Sequence, residues 1–372
     1  MNYRSDKYGN KISLLGYGCM RFTKNGSSID IDKATEEVKL AIDNGVNYFD
    51  TAYTYPGNEV ALGEILSRLN CRKDIYIATK LPQYLVKTSS QIEKYFNEEL
   101  ERLKTDYIDY YLMHMITDVA AWEKLLRLGI KEFINKKKES GQIRNIGFSF
   151  HGDSESFIKV LDAYDWDFCQ IQYNYVDTDI QAGDRGYELT EELGIPLVIM
   201  EPIKGGSLAT LPEDVTLPFR EFHPDASISS WALRWVASKP NVKVVLSGMS
   251  TQEQVEDNLK TFSNFQPLSL KEKEIVANVA AAIKARTKNG CTGCAYCMPC
   301  PCGVNIPQNF RIWNDLSMYR NIDRIKQMYF KELEEGARAN QCQECGQCEE
   351  VCPQSLSIRE NLKQVWQEMN AL

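Results

Sequence analysis

Between residues 10 and about 262, short apolar runs alternate with longer segments whose apolar positions recur at helical spacing. The runs are LLGYGCM, NYFD, IYIAT, IDYYLMH, IRNIGFS, FCQIQY, PLVIM and VKVVLSG. Each reads as a strand followed by a helix. The segment DIDKATEEVKLAIDNG is one such helix, with Asp at its start as N-cap and Gly at its end. Eight repeats of strand then helix predict a (β/α)8 barrel, whose usual size is about 250 residues. The competing open doubly wound sheet is disfavoured because the first strand does not run into GxGxxG.

After the last repeat the pattern changes. Residues 268–289 predict a polar-faced helix that ends at Gly290. Beyond it, IPQNFRIWNDLSMYR and NIDRIKQMYFKELEEGARA predict two helices between two cysteine groups, and a last helix starts near Ile358. The expected organisation is a barrel over 1–267, a connecting helix over 268–289 and a small α-helical domain over 290–372. A chain of 372 residues exceeds the usual size of one core, which agrees with two domains.

Composition then narrows the function classes. At 43% hydrophobic and 25% charged, the chain is of the soluble globular type. A net charge of -8 offers little to nucleic acid or anionic lipid, and the run Lys136, Lys137, Lys138 reads as a solvated helix face. No stretch approaches the roughly 18 apolar residues of a membrane span, and the start lacks an apolar leader region. A cytoplasmic location is expected, without nucleic acid or membrane as partners. Nine of the 12 cysteines fall in residues 291–372, which points to metal binding rather than disulfides. Cys19, Cys71 and Cys169 read as small buried residues.

In a (β/α)8 barrel the carboxyl ends of the strands build the active site. Asp50 ends NYFD, Lys80 ends IYIATK, His114 ends YYLMH, and Tyr55 follows Asp50 by five residues. A tyrosine hydroxyl, with a free pKa of about 10, is a poor acid at neutral pH unless a cation stabilises the phenolate. Lys80 can be that cation, with Asp50 holding the ammonium and His114 orienting a carbonyl or passing a proton. Such a group suits proton delivery to an oxygen that gains charge as hydride adds to a ketone or aldehyde.

The segments GVNYFDTAYTYPGNE, IATKLP and YYLMH resemble those that carry the catalytic tetrad of the aldo-keto reductase family, which would fall on Asp50, Tyr55, Lys80 and His114. The resemblance spans residues 10–262. It implies hydride transfer between NADPH or NADH and a small carbonyl or alcohol substrate, with Tyr55 as general acid. Further segments resemble the family's cofactor-binding elements. GFSFHG and QIQYN would hold the carboxamide through Ser149 and Gln172, EPIKGG would contribute Glu201 and Gly205, and LSGMSTQEQVEDN would bring Ser247, Ser250, Gln254 and Asn258 to the adenosine phosphates. The chain departs from the family pattern at Phe150, where Asn is usual, and at Met200, where an aromatic stacks on the nicotinamide. Gly248 and Gln254 stand where commoner members carry the Lys and Arg that bind the 2'-phosphate, so NADPH selectivity is not implied. Tyr84 and Phe219, in pocket-lining loops, are candidate apolar contacts to substrate.

The cysteine groups read CxxCxxCxxCP at Cys291, Cys294, Cys297 and Cys300, and CxxCxxCxxxCP at Cys342, Cys345, Cys348 and Cys352. The second has the spacing of bacterial ferredoxins, in which the fourth cysteine serves the other cluster. Carried across, that rule predicts two 4Fe-4S clusters. One would be held by Cys291, Cys294, Cys297 and Cys352, the other by Cys342, Cys345, Cys348 and Cys300, with Cys302 spare. A pair of zinc sites is the alternative. The barrel with this cassette resembles aldo-keto reductases that carry a ferredoxin-type domain.

The expectation is an oxidoreductase in which the clusters pass electrons to or from a partner such as ferredoxin. Clusters move single electrons whereas nicotinamide moves a hydride, and a flavin usually mediates between them; no flavin site is marked in the sequence. Two alternatives stand beside it. One is a nicotinamide-dependent reductase with structural or redox-sensing clusters, and the other is an electron-transfer protein whose barrel is not catalytic.

Overall fold

The computed structural model describes residues 1–372. Eight parallel strands close into a barrel in chain order: β1 Leu15–Gly18, β2 Tyr48–Asp50, β3 Tyr76–Leu81, β4 Ile108–Ile116, β5 Ile143–Phe150, β6 Phe168–Gln172, β7 Leu197–Met200 and β8 Val242–Ser247. All eight coincide with the apolar runs. Alternation along each strand divides the side chains between two layers. Tyr48, Ala78, Tyr110, Leu112, Phe168, Val198 and Val244 fill the barrel, whereas Phe49, Ile77, Tyr111, Phe148 and Ile171 pack outward in the larger apolar core.

Helix α1 (Ile31–Asp43) shows how the sequence sets the element ends. Asp30 accepts the Lys33 N–H at its start, and Gly45 takes a φ of 90° just past its end. An antiparallel hairpin, Tyr3–Ser5 with Lys11–Ser13, precedes β1. Its Ile12 joins the interior layer, and Asp6 accepts the Tyr110 hydroxyl at 2.7 Å. The Lys136–Lys138 run differs from its expected solvated face. Lys137 is buried and paired with Glu93 at 2.7 Å, and Lys138 reaches the buried Asp167 at 2.7 Å.

The chain forms two compact units. The first comprises Met1–Gly205 and Ser229–Lys273, and the second Gly206–Ile228 and Glu274–Leu372. The excursion after β7 therefore belongs to the second unit. There Asp214 pairs with Arg286, and Phe219 is fully buried, so Phe219 is a packing residue. The second unit is helical and has its own apolar core, built from Val304, Phe310, Trp313, Tyr329, Leu362 and Val365 among others.

Two helix ends in this region differ from expectation. The helix expected to run to Gly290 spans Leu270–Lys284, because Thr287 caps the Lys284 carbonyl and the N–H groups of Lys288 and Asn289 turn to Asn314 Oδ1. The segment NIDRIKQMYFKELEEGARA forms a short helix, Ile322–Gln327, and one wide turn, Met328–Glu332. The Arg338 guanidinium takes the carbonyls of Tyr329, Phe330 and Leu333, which removes them from further helix.

Candidate active site and cysteine-lined cavities

At the carboxyl ends of β2, β3 and β4 the structure brings Asp50, Lys80 and His114 together, with Tyr55 from the loop after β2. Lys80 is 1% exposed and its ammonium donates to Asp50 Oδ1 and to the Thr51 carbonyl, both at 2.6 Å. The other Asp50 oxygen accepts from Gln170 Nε2 at 2.8 Å. Lys80 Nζ lies 5.2 Å from the centre of the Tyr55 ring, and the His114 ring meets that ring edge-on at 6.0 Å. Tyr84 is 6.2 Å from His114 and 43% exposed, on the rim of this group.

Burial and charge set the protonation states. Burial pushes the Tyr55 phenol above its usual value, and the Lys80 ammonium offsets that only in part. Tyr55 is thus a neutral proton donor near pH 7. Burial alone would lower Lys80, but the Asp50 carboxylate outweighs it and the ammonium is held. His114 is lowered to about 3 by burial, Lys80 and His151, so its imidazole is neutral.

The other residues expected to bind cofactor occupy the ends of β5 to β8. Ser149 is buried, and its oxygen accepts the Met115 N–H at 2.9 Å while the hydroxyl proton remains free to donate. Gln172 is engaged with Asp177 at 3.1 Å and Gln181 at 2.8 Å. Glu201 and Gly205 belong to a turn of left-handed backbone, with φ values of 53° and 62°. Asn258 donates to the Ser247 hydroxyl at 2.8 Å, and Gln254 Oε1 accepts the Ser250 N–H at 2.8 Å. Phe150 points outward onto Phe157 at 5.0 Å and is absent from the mouth. Met200 packs against the barrel interior.

Three residues at this mouth escaped the sequence reading. Gln170 faces inward two positions before Gln172, which the strand period could have shown. His151 follows β5, is kept below its usual pKa by burial and Lys80, and donates its backbone N–H to the Ile116 carbonyl at 2.9 Å. Gly152 allows that close approach, since a Cβ there would lie 1.8 Å from the Thr117 carbonyl oxygen. Arg21, the cation just after β1, donates to the Gly205 carbonyl at 3.1 Å and runs along Gly248, with its Cδ 3.6 Å from where a Cβ would stand. It supplies positive charge between the β7 and β8 loops, where the sequence reading found none.

The cassette thiols line two cavities. Cys300, Cys342, Cys345 and Cys348 share one, with Cys302 and Cys297 also in its wall, and Cys291, Cys294, Cys297 and Cys352 share the other. No three of the chain's Cys, His, Asp or Glu side chains close to the dimensions of a single-ion site. A zinc site, with Zn–S near 2.3 Å, needs its sulfurs roughly 3.8 Å apart. Thiols spread around a cavity suit a multi-iron cluster instead.

Comparison with known proteins agrees with both readings. The sequence profile of the Aldo/keto reductase family matches residues 14–281, and that of a 4Fe-4S dicluster domain matches residues 290–357. An uncharacterized oxidoreductase of Bacillus subtilis, YqkF, is 27% identical over 300 residues, covering 72% of this chain and 91% of its own. The L-galactose dehydrogenase of Arabidopsis thaliana is 25% identical over 298 residues, 74% of this chain and 92% of its own. Among solved structures, the holo form of aldo-keto reductase AKR11C1 from Bacillus halodurans superposes with a TM-score of 0.62 at 26% identity, over 75% of this chain and 96% of that one. With the family profile spanning the barrel and its mouth, the chain belongs to the aldo/keto reductase family and carries an iron–sulfur domain after the barrel.

Proposed function

We infer that the barrel interconverts a small carbonyl compound and its alcohol with a nicotinamide cofactor, and that two 4Fe-4S clusters exchange electrons with a redox partner such as ferredoxin. The observation that carries the first part is the buried Asp50–Lys80 pair beside Tyr55 and His114. NADH or NADPH, when bound, supplies hydride to the carbonyl carbon. Tyr55 donates its hydroxyl proton to the oxygen that gains charge, and Lys80 stabilises the phenolate left behind. Asp50 and the Thr51 carbonyl hold Lys80 in place, and neutral His114 orients the carbonyl oxygen. Ser149 and Gln172 are suited to a carboxamide, and Glu201, Gly205, Ser247, Ser250, Gln254 and Asn258 to the rest of the dinucleotide.

The Gln254 side chain caps the Ser250 N–H, Glu37 is buried nearby and linked through Thr23 to the Ser250 carbonyl, and Arg21 along Gly248 brings positive charge to the same region. Arg21 is a charged donor able to meet a dianionic 2'-phosphate, so the choice between NADH and NADPH turns on it and on Gln254. Cluster ligands are assigned as Cys291, Cys294, Cys297 and Cys352 for one site, and Cys300, Cys342, Cys345 and Cys348 for the other. The clusters supply single-electron transfer. The thiols also pack against the apolar core of the second unit, which supports an added structural role.

The decisive experiment measures reduction of a carbonyl panel that includes aldoses, prompted by the plant relative, with NADH and NADPH. It compares wild type with Tyr55→Phe, before and after chelation of iron under air, and with reduced ferredoxin as an alternative donor, with folding followed by circular dichroism. Nicotinamide-dependent turnover lost in Tyr55→Phe supports the barrel chemistry, and absence of nicotinamide binding refutes it. Turnover that survives iron removal in folded protein rules out obligatory electron passage through the clusters.

A further inference from the structure

The two cysteine-lined cavities are built to the same plan but differ in charge. The wall around Cys291, Cys294, Cys297 and Cys352 holds no charged side chain and is closed mainly by apolar groups such as Phe310 and Ile358. The wall around Cys300, Cys342, Cys345 and Cys348 includes Arg359. The Arg359 guanidinium is fixed from one side. Its Nε and Nη2 donate to Glu349 Oε2 at 2.9 and 2.7 Å, and its backbone N–H donates to Glu349 Oε1 at 2.8 Å. The remaining nitrogen, Nη1, has no protein acceptor and lies 3.7 Å from where a Cβ of Gly346 would stand, against the loop between Cys345 and Cys348. Glu349 lies outside the cavity wall but follows Cys348 directly, and after burial its carboxylate is the next cause that raises that thiol, so it opposes the field of Arg359 in part.

Cys342 Sγ accepts the Glu344 N–H at 3.4 Å. Glu344 adopts a φ of 57°, and Gly293, at the same position after Cys291, one of 74°, so this backbone turn is common to both motifs.

Building on the two-cluster reading above, we propose that Arg359 makes the cluster held by Cys300, Cys342, Cys345 and Cys348 the more easily reduced of the two, so that an electron entering the domain settles there. A cluster bound by four thiolates is anionic and gains a further negative charge on reduction, so a fixed cation favours its reduced form. Arg359 is 44% exposed on its side chain, so solvent and salt weaken its field. The expected effect is correspondingly moderate, a threefold to tenfold change in how one electron divides between the clusters. A tenfold change corresponds to about 59 mV for a single electron.

The test is a redox titration of the intact holoprotein, followed by visible absorbance and electron paramagnetic resonance, with iron and sulfide assayed in each variant. Wild type should show two one-electron waves. Arg359→Gln should move the upper wave down and leave the lower one in place, Arg359→Lys should stay near wild type, and Glu349→Gln, which frees the cation from its counter-charge, should move the upper wave up. Raising the ionic strength should narrow the wild-type separation. If Arg359→Gln fails to retain iron, Glu349→Gln decides the matter alone, and an upper wave unmoved or lowered in that variant refutes the proposal. Two waves insensitive to both substitutions overturn the role of Arg359 while leaving the two-cluster reading intact. Iron sufficient for a single cluster, with one wave, overturns both.

Discussion

Replacing Lys80 by Met separates the stability of the barrel mouth from its chemistry. The ammonium is buried, and it donates to Asp50 and to the Thr51 carbonyl. Without it, Asp50 keeps Gln170 as its one side-chain donor and becomes a buried carboxylate with no counter-ion. Breaking a buried pair in this way costs about 3 to 5 kcal/mol. The double variant Asp50→Asn, Lys80→Met removes both charges, and it should recover at least about half of that loss, because a neutral amide and thioether carry no comparable desolvation penalty. Activity should not follow. In both variants the Tyr55 phenol, already raised by burial, has lost its cation, so kcat/KM for carbonyl reduction should fall by about 10² to 10⁴. Lys80 is raised in the folded state, so the stability it contributes is full below the ordinary lysine value of about 10.5 and is lost as the pH rises through the folded value. Urea unfolding followed by circular dichroism at matched iron content, together with steady-state rates, measures both quantities. A single variant as stable as wild type, or a double variant that regains rate along with stability, would refute the electrostatic account of this site.

Three further outcomes are expected. His114 is lowered to about 3, so the folded state binds fewer protons than the unfolded chain below about pH 6.5, and stability falls with acid. Unfolding of wild type and His114→Gln at pH 6.5 and pH 5 should show the wild type losing about 2 kcal/mol more over that interval, and equal losses would contradict a neutral buried imidazole. Gln254→Arg should shift the NADPH to NADH affinity ratio about tenfold toward NADPH, or ~1.4 kcal/mol, as read by fluorescence titration, and an unchanged ratio would remove the β8 loop from the phosphate site. Cys302→Ser should keep the full iron content while Cys300→Ser lowers it, and the reverse pattern would overturn the ligand set.

All eight barrel strands were legible because each is a short apolar run whose neighbours break the period, and a barrel interior leaves such runs little freedom. The cysteine spacings were legible for a different reason: cluster geometry forces close spacing along the chain. What escaped the sequence depends on contacts between distant segments. Arg21 gains its meaning from Gly205 and Gly248, which lie far along the chain. The end of the helix at Lys284 is set by Asn314, which supplies the acceptor that draws Lys288 and Asn289 away. Lys137 looked like part of a solvated run because its partner, Glu93, sits on another helix. The sequence also set Lys80 to ease ionisation of Tyr55, while the net direction is upward because desolvation of the phenol outweighs the cation.

The interlaced walls of the two cavities bear on how such a domain can be gained or lost. Each proposed ligand set takes three thiols from one motif and one from the other, and 39 residues separate Cys302 from Cys342. A chain ending before Cys342 would keep three thiols at one cavity and a single essential one at the other, so it would have two damaged sites rather than one intact site. On that ligand assignment neither motif alone supplies a complete set of four thiols, so the two motifs and the helices between them would work only as one unit.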